Sequence, residues 1–224
     1  MLIIGNTGEV IMQPCPLCHS EQHGVFVEDK NRCYFRCQQC ALIFADPEAQ
    51  LSPEQEKAVY DQHQNNPDDM GYRQFLGRLA TPLVERLPTG PLDGLDFGSG
   101  PGPTLSIMLE EMGYNMAIYD PYFAPDPSVL TRQYDFVTCT EAIEHFNQPA
   151  KEWGLLLSMI KPGGWLGLMT KLATDAEAFT RWHYKNDPTH VSFFSRDTFR
   201  FLAQRDGLEV EFVGNDVILL RKTQ

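Results

Sequence analysis

The run Leu95-Asp96-Phe97-Gly98-Ser99-Gly100-Pro101-Gly102 joins an apolar stretch to a turn in which three of five residues are glycine. Leu92–Phe97 reads as a strand, and a helix is expected from about Pro103 to Met112, with Pro103 tolerated in its first turn and Gly113 as its stop. A strand entering a helix through D-x-G-x-G-x-G brings backbone close to a ligand, because small residues remove the steric barrier. The helix N-terminus behind the turn favours an anionic group.

Outward from this turn, strand and helix signals alternate, the pattern of an α/β sheet. Asn115–Tyr119 is a second strand ending at Asp120, and Tyr134–Cys139 is a third. Pro149–Ile160 reads as a helix, Lys161-Pro162-Gly163-Gly164 as a turn and Trp165–Met169 as a strand. Ser195 caps a helix running to about Asp206. Two short strands around Gly214-Asn215-Asp216 form a closing hairpin. Upstream, Tyr72, Phe75, Leu76, Leu79, Leu83 and Leu87 repeat at helical spacing, and Pro82 is expected to kink or split that helix. The expected architecture is a Rossmann-like three-layer α/β/α sandwich with a mostly parallel sheet and a C-terminal antiparallel hairpin.

Five of the six cysteines fall between Cys15 and Cys40. Cys15, Cys18, Cys37 and Cys40 form C-x2-C-x18-C-x2-C, two knuckles that together supply the four thiolates of a tetrahedral zinc. Four ligands leave no open position, so the zinc is expected to be structural; Cys33 reads as a free thiol. A unit this small needs such a metal to be stable. Its removal is expected to unfold the N-terminal unit and leave most of the α/β domain intact. Residues 1–48 are read as this zinc-ribbon-like module, 49–90 as a linker and helical lead-in, and 91–224 as the α/β domain.

The formal net charge is −12, which opposes unassisted binding to phosphate backbones. Residues 13–50 are no exception, with three basic side chains against five acidic ones. Nucleic acid is therefore an unexpected partner. No apolar run is long enough for a spanning helix. Met1–Met12 lacks a basic start and a cleavage signal, so the cytoplasm is the expected compartment.

Asp120 follows Gly102 by 18 residues, where a carboxylate can accept hydrogen bonds from ribose hydroxyls. Asp96, just before the glycines, suits a ligand bearing an ammonium group better than a pyrophosphate. Taken with Tyr134-Asp135-Phe136-Val137, Glu141-Ala142-Ile143-Glu144-His145, Ile160–Trp165 and His190–Ser195, the motif order resembles a class I S-adenosylmethionine-dependent methyltransferase over about Met70 to the C-terminus. It is similar in particular to bacterial small-molecule methyltransferases related to the ubiquinone-biosynthesis methylases, a broad group in which some members also carry an N-terminal cysteine cluster. The resemblance implies that Asp96, Gly98, Ser99, Gly100 and Gly102 surround the methionine part of the cofactor and that Asp120 holds its ribose. Thr140, Glu141 and His145 would then lie beside the reacting methyl.

One departure stands out. Only 13 residues, three of them proline, separate Asp120 from Tyr134. The helix usual there must be missing or vestigial, with Ser128–Thr131 a remnant strand. For acid–base work, His145, His183 and His190 are the candidates because histidine titrates near neutrality. Lys171–His190 is expected to form the acceptor side of the site, with Trp182, Tyr184, Phe193 and Phe194 either walling it or packing as core. The expected function is methyl transfer from S-adenosylmethionine to a small-molecule acceptor. The alternatives are an RNA methyltransferase gripping its substrate with the zinc ribbon, and a non-catalytic cofactor-binding interaction module.

Overall fold

The computed structural model describes residues 13–62 and 65–223, and the Met1–Met12 start lies outside them. Six strands form the main sheet: β4 (Asp93–Phe97), β5 (Asn115–Tyr119), β6 (Tyr134–Thr140), β7 (Ile160–Met169), β9 (Leu208–Val213) and β10 (Val217–Lys222). Their order is β5-β4-β6-β7-β10-β9. The first four are parallel, and β10 runs antiparallel to both β7 and β9. This is the expected mostly parallel sheet with a C-terminal hairpin. Val137, Cys139, Leu166 and Leu168 are fully buried, as parallel strands covered on both faces require.

Helix α2 (Met70–Val84) runs through Pro82 instead of splitting there. Pro82 forfeits only its own N–H bond, to the Arg78 carbonyl, and just Leu83 and Val84 follow it in the helix, so any bend there displaces little chain. Helix α3 (Thr104–Glu111) follows the glycine turn, α4 (Pro149–Ser158) precedes β7, and α6 (Arg196–Asp206) starts at the Ser195–Thr198 capping box. Gly207, at φ 68°, ends α6 in the left-handed conformation. Among the described residues no strand lies outside β5. Ser128–Thr131, expected as a remnant strand, lies instead in a short 3-10 helix, Pro127–Thr131, N-capped by Asp126. Proline and the Asp126 side chain satisfy that backbone locally, so it has no need of a sheet partner.

A second sheet contains β1 (His23–Glu28), β2 (Cys33–Cys37), β3 (Ile43–Ala45) and β8 (Ser192–Phe193), in that order. Its fourth strand comes from the far end of the chain. Cys15, Leu17, Cys37, Cys40 and Leu42 share one continuous core with Trp153, Leu156, Phe199 and Leu202 of α4 and α6. The backbone joins as well, Ala150 N–H donating to the Pro16 carbonyl at 3.2 Å. On the other side, Val27, Tyr34 and Ile43 pack on Phe179, Tyr184 and Phe193. The cysteine-bearing hairpins are thus built into the body of the protein. Among the described residues no helix is long and apolar enough to cross a membrane.

Candidate functional site

The two knuckles are conformational copies. His19 N–H donates to the Cys15 carbonyl at 2.9 Å, and Ala41 N–H to the Cys37 carbonyl at 3.1 Å. Both residues, each just after the second cysteine of its pair, adopt a left-handed backbone, φ 60° and 59°. The four sulfurs lie within 4.8 Å of one another, with Cys15–Cys40 and Cys18–Cys37 at 3.5 Å. A zinc with bonds of about 2.3 Å sets neighbouring sulfurs about 3.8 Å apart, so the cage fits a tetrahedral ion. The Cys40 hydrogen bond lowers the pKa of the Cys15 thiol, while burial raises that of Cys18. Crowded sulfurs in a buried site favour a cation that lets all four ionise.

The main cavity, about 700 Å³, opens at the carboxyl ends of β5, β4 and β6, where open α/β sheets bind ligands. Its floor is Asp96, Gly98–Pro101 and Asp120, its far wall Thr140, Glu141, Glu144 and His145, and its cover Tyr60 of α1 (Pro53–Tyr60) with Tyr72 and Phe75 of α2. The three glycines answer different demands. Gly98 (φ 76°) and Gly100 (φ 65°) need left-handed backbone, whereas a side chain on Gly102 would lie 2.2 Å from the Asn65 carbonyl oxygen. Gly102 is therefore packed under the chain at Asn65 and does not line the cavity.

Asp120 is buried, and its carboxylate is largely committed to backbone. Oδ2 accepts Gly100 N–H at 3.0 Å, and Oδ1 accepts Tyr122 and Phe123 N–H at 2.8 and 3.0 Å. A carboxylate offers about four acceptor positions, so one remains on Oδ2. Tyr122 and Phe123 line the cavity where a third strand is missing. Asp96 accepts the Thr138 hydroxyl at 2.8 Å, yet burial pushes its carboxyl up to about 6.

At the end of β6, Glu141 holds a left-handed φ of 48°, an uncommon state for a non-glycine residue. Burial and the neighbouring Glu144 push Glu141 up to about 8. Glu144 is 1% exposed; Tyr184 Oη donates to its Oε1, and its Oε2 has no partner. Ser99 Oγ, Thr140 Oγ1 and Glu152 Oε2 are likewise buried and unpartnered, and all four residues line this cavity. Buried polar atoms are normally satisfied, so a cluster of orphans along one cavity marks where a polar ligand belongs.

His145 and His190 meet here with ring centroids 4.6 Å apart. His145 Nδ1 lies 3.2 Å from the Thr189 carbonyl and His190 Nδ1 2.7 Å from the Tyr184 carbonyl. A carbonyl only accepts, so each neutral ring carries its proton on Nδ1 and keeps a lone pair on Nε2. Burial, with His145 alongside, lowers the His190 pKa. Glu144, His145 and His190 also present ligand atoms within 4.8 Å of one another, close enough to share a metal ion.

His183 is not part of this arrangement. It is exposed and does not line the cavity. Little of Lys171–His190 forms the cavity: half of it is exposed, Phe179 of α5 (Ala176–Arg181) and Tyr184 are buried against β1–β3, and only Asp187 and His190 reach the cavity. Helical packing of the aromatics prevails because this segment lies against the second sheet. Glu144 and Tyr184 complete the site, and the Glu141–Glu144–His145 spacing at a strand end was the signal for the first. Nothing in the sequence marks Tyr60.

A parallel sheet with a glycine turn after β4, an acid closing β5 and a reversed final strand defines the fold of class I S-adenosylmethionine-dependent methyltransferases. The methyltransferase-domain family matches residues 71–212, more than half of the chain, and the chain belongs to that family. It is 32% identical over 71 residues to the ubiquinone biosynthesis O-methyltransferase of Serratia proteamaculans (strain 568), a match covering 32% of this chain and 30% of that protein. The magnesium protoporphyrin IX methyltransferase of Synechocystis PCC 6803, solved with bound S-adenosylhomocysteine, superimposes with a TM-score of 0.51 at 15% identity, over 75% of this chain and 93% of that one. The 1,6-didemethyltoxoflavin-N1-methyltransferase of Burkholderia thailandensis gives a TM-score of 0.49 at 14% identity, over 89% and 99%.

Proposed function

We propose that the protein transfers the methyl group of S-adenosylmethionine to a small-molecule acceptor in the 700 Å³ cavity, and that Cys15, Cys18, Cys37 and Cys40 hold one structural zinc. The observation that carries the first reading is the row of unpartnered buried atoms on Ser99, Thr140, Glu144 and Glu152 beside the glycine turn. Asp96 faces the ammonium of the cofactor, Gly98–Gly100 the methionine chain, and the open position of Asp120 Oδ2 a ribose hydroxyl. The cofactor supplies an electrophilic methyl on a sulfonium. The protein aligns the acceptor for in-line displacement and excludes water. His190 Nε2 takes the acceptor's proton, and the Glu144 carboxylate stabilises the resulting imidazolium. A cytoplasmic location fits the unpaired thiols, which an oxidising compartment would not keep reduced.

The RNA reading has less support. The chain is acidic, and the knuckles point their buried sulfurs and Leu17 into the α/β core, not at an open face. A non-catalytic module would have no use for a buried carboxylate and two adjoining histidines lining the cavity. A second reading of the Glu144–His145–His190 cluster is a divalent cation that polarises the acceptor oxygen. Manganese titrated into the protein should show a paramagnetic effect on both histidine rings if this holds, and none if they act only as base and orienter.

Calorimetry should show binding of S-adenosylmethionine and S-adenosylhomocysteine and none of NAD. Asp120→Ala should weaken that binding by roughly 1–3 kcal/mol, the scale of a lost charged hydrogen bond; equal affinity would place the ribose elsewhere. Binding should also depend on pH. Asp96 must be ionised to pair with an ammonium, and its carboxyl in the free protein titrates at about 6. Affinity should therefore rise with pH through about 6 and level off above. A flat profile from pH 5 to 8 would remove Asp96 from the ammonium's contacts.

A further inference from the structure

We propose that Arg32, on the turn between β1 and β2, is a positioning residue that sets His190 in the site; the inference deepens the proposed function, which supplies the role of His190. Arg32 is 8% exposed and reaches across the molecule into the 185–190 loop. Its guanidinium donates to four backbone carbonyls there: Asp187 at 2.8 Å, His190 at 2.9 Å, Pro188 at 3.3 Å, and Lys185. No carboxylate meets it in these bonds. The loop has turned its carbonyls inward around a cation, and that curl carries His190 to the cavity.

The grip continues around the guanidinium. Tyr34 Oη donates to the Lys185 carbonyl at 3.1 Å, and the buried Lys185 ammonium pairs with Asp29. Asp29 Oδ1 accepts the Arg32 N–H at 3.0 Å and so holds the turn that presents the guanidinium. On the loop side, the curl brings the Tyr184 carbonyl to His190 Nδ1 and the Thr189 carbonyl to His145 Nδ1. The first contact takes up His190 Nδ1 and so leaves Nε2 as the ring atom that can take the acceptor's proton. The N-terminal hairpins therefore shape the reacting end of the cavity although none of their residues lines it. Only a planar five-donor group can serve four carbonyls from one point; a lysine ammonium has three donors and no fork.

The test needs no acceptor. Histidine-labelled, zinc-loaded full-length protein is compared with Arg32→Lys, Arg32→Met and Asp29→Ala by long-range nitrogen–proton NMR. In the parent, His190 should show a single Nδ1–H tautomer and titrate below the ordinary histidine value of about 6.5, set by Glu144, His145, Asp187 and Tyr184 around it. Both Arg32 variants should lose the single tautomer and shift the titration up towards that value, while S-adenosylhomocysteine affinity stays within about twofold and melting stays cooperative. Asp29→Ala, at the hairpin tip, should produce a smaller shift in the same direction. An unchanged His190 tautomer in any folded variant overturns the proposal, and Asp29→Ala supplies the same comparison if both Arg32 variants fail to fold. Failure of the parent to bind S-adenosylhomocysteine would defeat the functional reading instead, leaving the His190 signal to decide the role of Arg32.

Discussion

Stripping the metal from Cys15, Cys18, Cys37 and Cys40 is expected to destabilise the whole chain in one transition. Elemental analysis should first show about one zinc per chain. Calorimetry with and without a chelator should then show a single melting peak that falls by about 10–20 °C, which corresponds to about 5 kcal/mol for a chain of this size. Structural zinc sites contribute about 10–16 kcal/mol in isolated peptides, so this figure allows for residual packing of the empty cage. The reason for one transition is continuity: Leu17, Cys37 and Cys40 sit in the same core as Trp153, Phe199 and Leu202, and β3 pairs with β8. The spacing of the cysteines alone leads to the opposite expectation, an appendage that unfolds by itself. Two separate peaks, with the upper one unmoved by chelation, would restore that view.

Replacing His190 by alanine is expected to lower methyl transfer by about 10²–10⁴-fold, the usual worth of a positioned general base. An acceptor for the assay can be found by radiolabelled methyl transfer to a small-molecule library. His183→Ala should leave turnover about unchanged, because that ring is exposed and away from the cavity. Cofactor affinity should hold in both variants. The pH profile carries a sign as well. The base works when neutral, and the pKa of His190 lies below the ordinary value, so the rate should rise through that lowered pKa and stay level through neutrality. A large loss in His145→Ala with none in His190→Ala would move the base to His145.

The glycine turn shows why part of this was readable early. Gly98 and Gly100 take left-handed backbone angles that other residues resist, and such a demand is written in the residue itself. The third glycine has another cause. Gly102 yields to the chain at Asn65, 37 positions away in sequence, and no local rule shows that crossing. The same division runs through the histidines. His145 and His190 share one cavity because the 185–190 loop curls around Arg32, while His183, seven residues before His190, faces solvent.

By itself, the sequence determined the features that depend on nearest neighbours and fixed spacing. These are the two cysteine knuckles, the strand–turn–helix around Gly98, the acid closing β5, the reversed final hairpin and the missing α-helix after β5 implied by too few residues and three prolines; the expected remnant strand there did not form. Only the tertiary structure decided what each of these faces. It built the cysteine hairpins into the α/β core, took Ser192–Phe193 as their fourth strand and buried Tyr184 against β2 while its hydroxyl reached Glu144. It also committed three of the acceptor positions of Asp120 to backbone. The physical reason is range. Backbone angles and ligand spacing act over a few residues, whereas packing, strand pairing and the Arg32 clamp join groups more than 140 positions apart, whose partners are set only when the chain closes on itself.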